Sequence, residues 1–200
     1  METDPAATTP APADRPETAE PRPDRDFEPF LASVREAPAD GGRVELLVRR
    51  PDHRLRQLAD EVALEPASGV AGDNWSARPS RTTPDGSPDP EDQVTIMSTR
   101  VLAAIAPDRD TWPLAGDQVY VDADLSAANL PPGTRVALGT AILVISEKPH
   151  TGCAKFSARF GSDALRWINS ATGRELRMRG VNARIEQAGV VRVGDALRKV

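Results

Sequence analysis

From Gln93 to Val200 the chain is a succession of short apolar runs, each closed by a turn built on glycine, proline or both. Gln93–Met97, Gln118–Asp122, Thr134–Leu138 and Thr140–Ile145 read as strands, and Val119 and Val121 share one face of the second. Glu175–Arg179, Asn182–Gln187, Val190–Val193 and Ala196–Val200 continue the series, with turns at Pro131-Pro132-Gly133, Gly180, Gly189 and Gly194-Asp195. Strands this short bury their apolar faces only by closing on one another. The predicted class is therefore mainly β: a closed, mostly antiparallel β-barrel with a few short helices. No internal repeat is visible.

Upstream the pattern is mixed. Residues 1–25 are rich in proline, alanine, threonine and charge, with almost no large apolar side chains, and are expected to form a disordered acidic tail. The 19 prolines of the chain and its 39% apolar content point the same way. Asp26–Glu36 predicts a short helix with Phe27, Phe30, Leu31 and Val34 on one side; Pro29 is tolerated in its first turn. Residues 26–41 then form a helix and linker, and residues 42–200 the barrel domain. Within it Arg43–Arg49 reads as a strand, and His53–Ala63 as a helix with Leu55, Leu58 and Val62 on one face. Residues 78–92 hold four prolines and are expected to be an exposed, mobile loop. Ser98 is placed to cap a helix that runs to Ala106. Ser162–Asn169 reads as a further helix, and Trp75, Trp112 and Trp167 as packing residues.

The formal charge of −5 is unevenly spread. Residues 1–26 carry seven acids against three bases, whereas residues 150–200 carry ten Lys/Arg against four acids. An acidic chain with a basic C-terminal quarter suits a small anionic ligand better than a nucleic acid, which asks for a broad basic track. With no apolar run long enough to cross a bilayer and no signal pattern in METDPAATTP, no membrane partner and a cytoplasmic location are expected.

The chemistry concentrates in Glu147–Gly161, EKPHTGCAKFSARFG, which holds the only cysteine. Cys153 follows a predicted strand on a loop, with His150, Lys148, Lys155 and Arg159 close in sequence. Neighbouring cations favour a thiolate. A buried cysteine packing as a small hydrophobe is the alternative at this stage. A single cysteine excludes an internal disulfide, a four-thiolate iron–sulfur cluster and a multi-cysteine zinc site. A His150–Cys153 nucleophilic dyad and a zinc site using both residues are weaker readings of the same stretch.

Together with the turn Gly69-x-x-Gly72-Asp73 and the strand Gln93–Ile96, four further motifs stand in order: Asn129-Leu130, Pro132-Gly133-x-x-Val136-x-Leu138-Gly139, Arg179-Gly-Val-Asn-Ala-Arg184 and Gly189-x-Val191-x-x-Gly194-Asp195. With the cysteine between the second and third of these, the set resembles the MOSC domain, named for the C-terminal domain of molybdenum cofactor sulfurases, over roughly Gly42–Val200. The resemblance implies a barrel associated with molybdenum cofactor (molybdopterin) or with activated sulfur. It places Cys153 at the position that ligates molybdenum in relatives that reduce N-hydroxylated compounds. It further implies that Lys155, Arg159, Arg179 and Arg184 pair with the pterin phosphate, that Asn182 hydrogen-bonds the pterin edge, and that His150 belongs to the cofactor site.

The expected activity is thus a small molybdenum-cofactor oxidoreductase with Cys153 as metal ligand and catalytic residue. The alternative is a non-catalytic persulfide or cofactor carrier. The chain shows no pyridoxal-phosphate desulfurase part and no ferredoxin-like segment, so a separate reductase or a cofactor-biosynthesis protein is the expected partner. The N-terminal barrel of larger relatives is also missing from the pattern.

Overall fold

The computed structural model describes residues 26–80 and 82–200; the tail expected over residues 1–25 lies outside them. In chain order the regular elements are helix α1 (Glu28–Arg35) and strands β1 (Gly42–Arg49), β2 (Gln57–Ala59), β3 (Glu61–Glu65), β4 (Gly69–Val70) and β5 (Val94–Ser98). Helix α2 (Thr99–Ile105) and strands β6 (Val119–Asp122), β7 (Arg135–Leu138) and β8 (Ala141–Ile145) follow. Helices α3 (Ala154–Phe160), α4 (Ser162–Ile168) and α5 (Ala171–Glu175) precede strands β9 (Val181–Gln187), β10 (Gly189–Arg192) and β11 (Ala196–Lys199).

Seven strands close in the order β11-β7-β8-β9-β5-β6-β1, with β1 returning to β11. Every pairing around this barrel is antiparallel except β5 with β6. A parallel pair needs a crossover, which α2 and the 3-10 turn at Arg109–Ala115 supply. Strand β2 hangs from β1 outside the closed ring, and β10, β3 and β4 form a small second sheet.

The two-residue period of the strands sorts the core into two layers. Val44, Leu47, Ile96, Val119, Val121, Leu143, Ile145, Ala183 and Leu197 fill the barrel. Met97 and Tyr120, on the other face of β5 and β6, join Leu102, Ile105, Trp112, Phe156, Phe160 and Ile168 beneath the helices. All five residues of β5 are buried because both faces are covered. Each fully buried side chain of this size contributes about 1.5–3 kcal/mol. Helix α1 docks on this second layer through Val34 and through Phe27, whose ring stacks on Trp167 at 5.0 Å.

Two sequence expectations are overturned. Residues 53–63 form no helix: they hold β2 and the start of β3, and Leu55 and Leu58 are exposed. The alternation of β3, with Val62 and Leu64 buried between exposed Glu61 and Glu65, decides the matter against the helical spacing of Leu55, Leu58 and Val62. Glu175–Arg179 forms no strand. Glu175 ends α5, Met178 N–H bonds back to the Gly173 carbonyl, and the chain turns at Arg177. Ser98 does stand at the N-cap position of α2, but its hydroxyl makes no capping bond.

Candidate functional site

Strands β8 and β9 meet at one rim of the barrel, where Ile145 registers with Ala183 and Ser146 N–H donates to the Asn182 carbonyl. The chain leaves β8 there and runs through residues 146–153 to α3. This loop is pinned at both ends by asparagines. Asn182 donates Nδ2–H to the Lys148 carbonyl at 3.1 Å; Asn169, at the end of α4, exchanges two bonds with the Gly152 backbone at 3.2 Å each. Midway, Lys148 reaches Asp89 at 2.9 Å and also binds Asp92, so the loop of residues 78–92 is tied to the rim.

Beneath the loop lies a buried charge cluster. Asp117, wholly buried, accepts from Arg179 Nη1 through both oxygens and from His150 Nε2 at 2.8 Å. Arg179 extends over the outer face of β5 past Met97, gives Nη2–H to the Ala115 carbonyl and lies against the Phe156 ring. Burial works against ionising Asp117, yet the Arg179 charge and the hydrogen bonds from His150 and Arg179 outweigh it and hold the carboxyl below its ordinary range. Burial and the Arg179 charge push the His150 imidazole down, against Asp117, so His150 is neutral near pH 7. With a carboxylate on Nε2, that nitrogen carries the proton and Nδ1 is the acceptor.

Cys153 is exposed at the N-cap of α3, which excludes the buried-cysteine alternative. Burial, the largest single influence, raises its thiol. The Phe156 and Lys155 amides and the Arg179 and Lys155 charges then bring it below the ordinary thiol range, although neither amide makes a regular capping hydrogen bond. Among the described residues no hydrogen bond joins His150 to Cys153, and no group of three His, Cys, Asp or Glu side chains is placed to hold a metal ion. The chain thus offers a metal one thiolate rather than a cage.

Just before Cys153 in the chain, a pocket of about 210 Å³ opens between the loop of residues 146–151, the α4–α5 corner and the start of β9. Its polar lining includes His150, Arg174, Arg177, Arg179 and Asn182. Gly180 lets the chain turn sharply into β9: its φ is +102°, and a Cβ there would stand 2.1 Å from the Ile96 carbonyl oxygen.

Of the residues singled out in the sequence, Cys153, His150, Arg179 and Asn182 gather at this rim, with Lys155 exposed on the first turn of α3. Arg159 and Arg184 point elsewhere. Arg159 bonds the Leu114 carbonyl at 2.6 Å, and Arg184 lies 3.8 Å from Glu91. Sequence reasoning missed Asp117, Asn169, Arg174 and Arg177. Arg177 sits in the segment misread as a strand, where alternation with Leu176 and Met178 would have turned it to solvent; Arg174 precedes that segment, on α5.

The MOSC domain family model matches residues 86–198, more than half of the chain. The chain belongs to the MOSC domain family. Solved structures agree on the fold of this MOSC protein. The YuaD protein of Bacillus subtilis is similar with a TM-score of 0.59 at 18% identity, over 78% of this chain and 93% of that one. YiiM of Escherichia coli is similar with a TM-score of 0.52 at 19% identity, over 79% of this chain and 69% of that one. YiiM of Geobacillus stearothermophilus is similar with a TM-score of 0.51 at 15% identity, over 80% of this chain and 74% of that one. A search of curated proteins by sequence finds no match. Among the described residues of the MOSC protein, no helix is long and apolar enough to cross a membrane.

The family is associated with molybdenum cofactor, and the rim can be tested for it. Two buried polar atoms of pocket residues, Asn182 Oδ1 and Arg179 Nε, have no hydrogen-bond partner among the described residues. Acceptor, guanidinium donors and a nearby soft thiolate fit the polar end of such a group. The volume of about 210 Å³ lies below the ~300–1,000 Å³ of ordinary ligand pockets, so the rim has room for one end of such a group only.

Proposed function

We propose that this MOSC protein binds molybdenum cofactor at the rim beside Cys153 and works as a small oxidoreductase module on N-hydroxylated or similar small substrates. The observation that carries this reading is the position of Cys153: exposed, thiolate-favoured, within the influence of the Arg179 charge and two residues past Thr151 of the basic pocket's lining. When bound, the cofactor supplies a two-electron redox centre. The Cys153 thiolate is the soft ligand for its metal. Arg174 and Arg177 neutralise anionic charge in the pocket, and Asn182 Oδ1 accepts a hydrogen bond from a ring or amide N–H. Asp117, through Arg179 and His150, holds the rim in place. Reduction of an N-hydroxylated substrate consumes two electrons and two protons and releases water; the electrons come from a separate reductase.

The test is molybdenum per chain, by elemental analysis, in protein purified from a host that makes the cofactor. Stoichiometric metal in the wild type, lost in Cys153→Ala, is the expected result. Full metal retention by Cys153→Ala overturns the assignment of the ligand.

A second reading, a persulfide or cofactor carrier, is favoured by one feature: Cys153 stands exposed outside the pocket lining. Mass spectrometry after incubation with a sulfur donor would then show one added sulfur atom on Cys153. Absence of that adduct in a metal-loaded protein removes the carrier reading.

A further inference from the structure

Charge is segregated between the two ends of this chain. Residues 1–25 carry six acids, three arginines and six prolines, and lie outside the described residues. Residues 150–179, which include α3, α4 and α5, carry six Lys/Arg against two acids, Asp163 and Glu175. Lys155 stands exposed on α3 with no ion pair among the described residues. Arg174, exposed on α5, gives Nη1–H to the Asn169 carbonyl and meets no carboxylate among the described residues. Arg166 pairs with Asp163 on its own helix yet keeps 72% of its side chain exposed.

The path of the chain supplies an independent observation. Phe27 is buried with its ring stacked on Trp167 at 5.0 Å, so the acidic segment is tethered to α4. Trp167 stands between Arg166 and Ile168, and Ile168 and Asn169 line the pocket described above. Asp24, Glu20 and Glu17 precede the tether by three, seven and ten residues. At roughly 3.3 Å per extended residue, a stretch of this length reaches about 80 Å, so length does not limit where it can lie. Tethering makes docking an intramolecular step with an effective concentration on the order of mM, and individually weak surface pairs then add up. The prolines fix φ along the segment and lower the entropy lost on docking.

We propose that residues 1–25 form an acidic cover for the basic face of α3–α5, lying over Lys155, Arg166 and Arg174 and across the mouth of the pocket. The occupant is the chain's own N-terminal segment, held by carboxylate–cation pairs rather than by apolar contact. There it screens the pocket and Cys153 from other anions, and high ionic strength or a competing polyanion lifts it. The proposal goes beyond the function proposed above and depends on neither metal nor cofactor.

Paramagnetic relaxation in NMR tests the cover, because Cys153, exposed and the only cysteine, takes a nitroxide label without further substitution. The full chain comes from a host unable to make molybdenum cofactor, so that the thiol is free. Wild type is compared with a tail variant carrying Glu2→Gln, Asp4→Asn, Asp14→Asn, Glu17→Gln, Glu20→Gln and Asp24→Asn, and with a face variant, Arg166→Glu/Arg174→Glu. Both variants keep the Phe27 tether and therefore report the broadening of an undirected tail; unchanged amide spectra over residues 42–200 confirm that they fold. Amide signals of residues 2–20 are expected to be weaker by about twofold or more in the wild type than in either variant. The difference vanishes in about 1 M salt, where screening acts within roughly 3 Å. Equal broadening in wild type and tail variant overturns the proposal, as does a face variant that broadens like the wild type or a difference that survives the salt. Mixing nitroxide-labelled chains with unlabelled, isotope-enriched ones identifies the occupant. Broadening of the enriched tails in that mixture means that they reach a second copy, which overturns the intramolecular cover.

Discussion

Asp117 and Arg179 lie 62 residues apart in sequence, yet Arg179 Nη1 meets both Asp117 oxygens, at 2.7 and 3.0 Å, in a site shut off from solvent. The pair fixes the turn into β9 against the outer face of β5 and β6. Since His150 binds the same carboxylate, it also sets the loop that carries Cys153.

Asp117→Asn keeps the shape and removes the charge, leaving the Arg179 guanidinium buried and unpaired. The expected loss is about 3–5 kcal/mol by urea unfolding, and less in the double variant Asp117→Asn/Arg179→Met than in the sum of the singles. Asp117 titrates below its unfolded value of about 3.9, so its contribution is complete above that pH and disappears as pH falls through the lower folded value. A single variant losing under about 1 kcal/mol would show the pair to be dispensable.

Acid should free the loop of residues 78–92 before the barrel opens. Hydrogen bonding from the Thr82 hydroxyl, against some burial, and then the Lys148 ammonium lower Asp89 to about 2. Its pairing with Lys148 is therefore intact above about pH 4 and released between about pH 4 and 2. Hydrogen exchange of residues 78–92 is expected to accelerate in that window, and Lys148→Met should show the same acceleration at neutral pH. Identical exchange in Lys148→Met and wild type would refute the tether.

The Cys153 thiol is expected to react with iodoacetamide with a midpoint below that of an ordinary thiol. Burial alone would raise it; the Phe156 and Lys155 amides and the Arg179 and Lys155 charges prevail. Lys155→Gln should move the midpoint upward. A wild-type midpoint at or above about 8.5 contradicts the thiolate-favouring environment.

Gly180→Ala should cost about 3 kcal/mol or more. It combines left-handed backbone strain with a Cβ placed 2.1 Å from a backbone oxygen of β5, where no flexible side chain can yield. Thermal unfolding measures this.

How much of this was legible in the chain depends on the range of the interactions involved. The barrel strands after Gln93 announced themselves as short apolar runs closed by glycine and proline turns, both local signals. Residues 53–63 misled because Leu55, Leu58 and Val62 fall at helical spacing, although two of the three are exposed or loosely held and only Val62 enters the barrel core. Cys153 could be found because it is unique. Asp117 could not, since a lone aspartate before a strand acquires its meaning only from Arg179 and His150, brought to it by the closing sheet. Arg174 and Arg177 stood only among the many basic residues of the C-terminal quarter for a related reason: Arg174 lies on α5, the turn after it at Arg177 has no proline or asparagine, and an arginine at φ +47° is not what such a sequence suggests.

Strand β1 lies outside the stretch matched by the family, residues 86–198, and yet it seals the cylinder between β6 and β11. Excising the matched stretch would leave those two strands as naked edges offering unpaired N–H and C=O groups to other chains, an invitation to aggregate. Any trimmed version intended for crystallisation or spectroscopy should therefore begin upstream of Gly42, however tidy the family boundary looks.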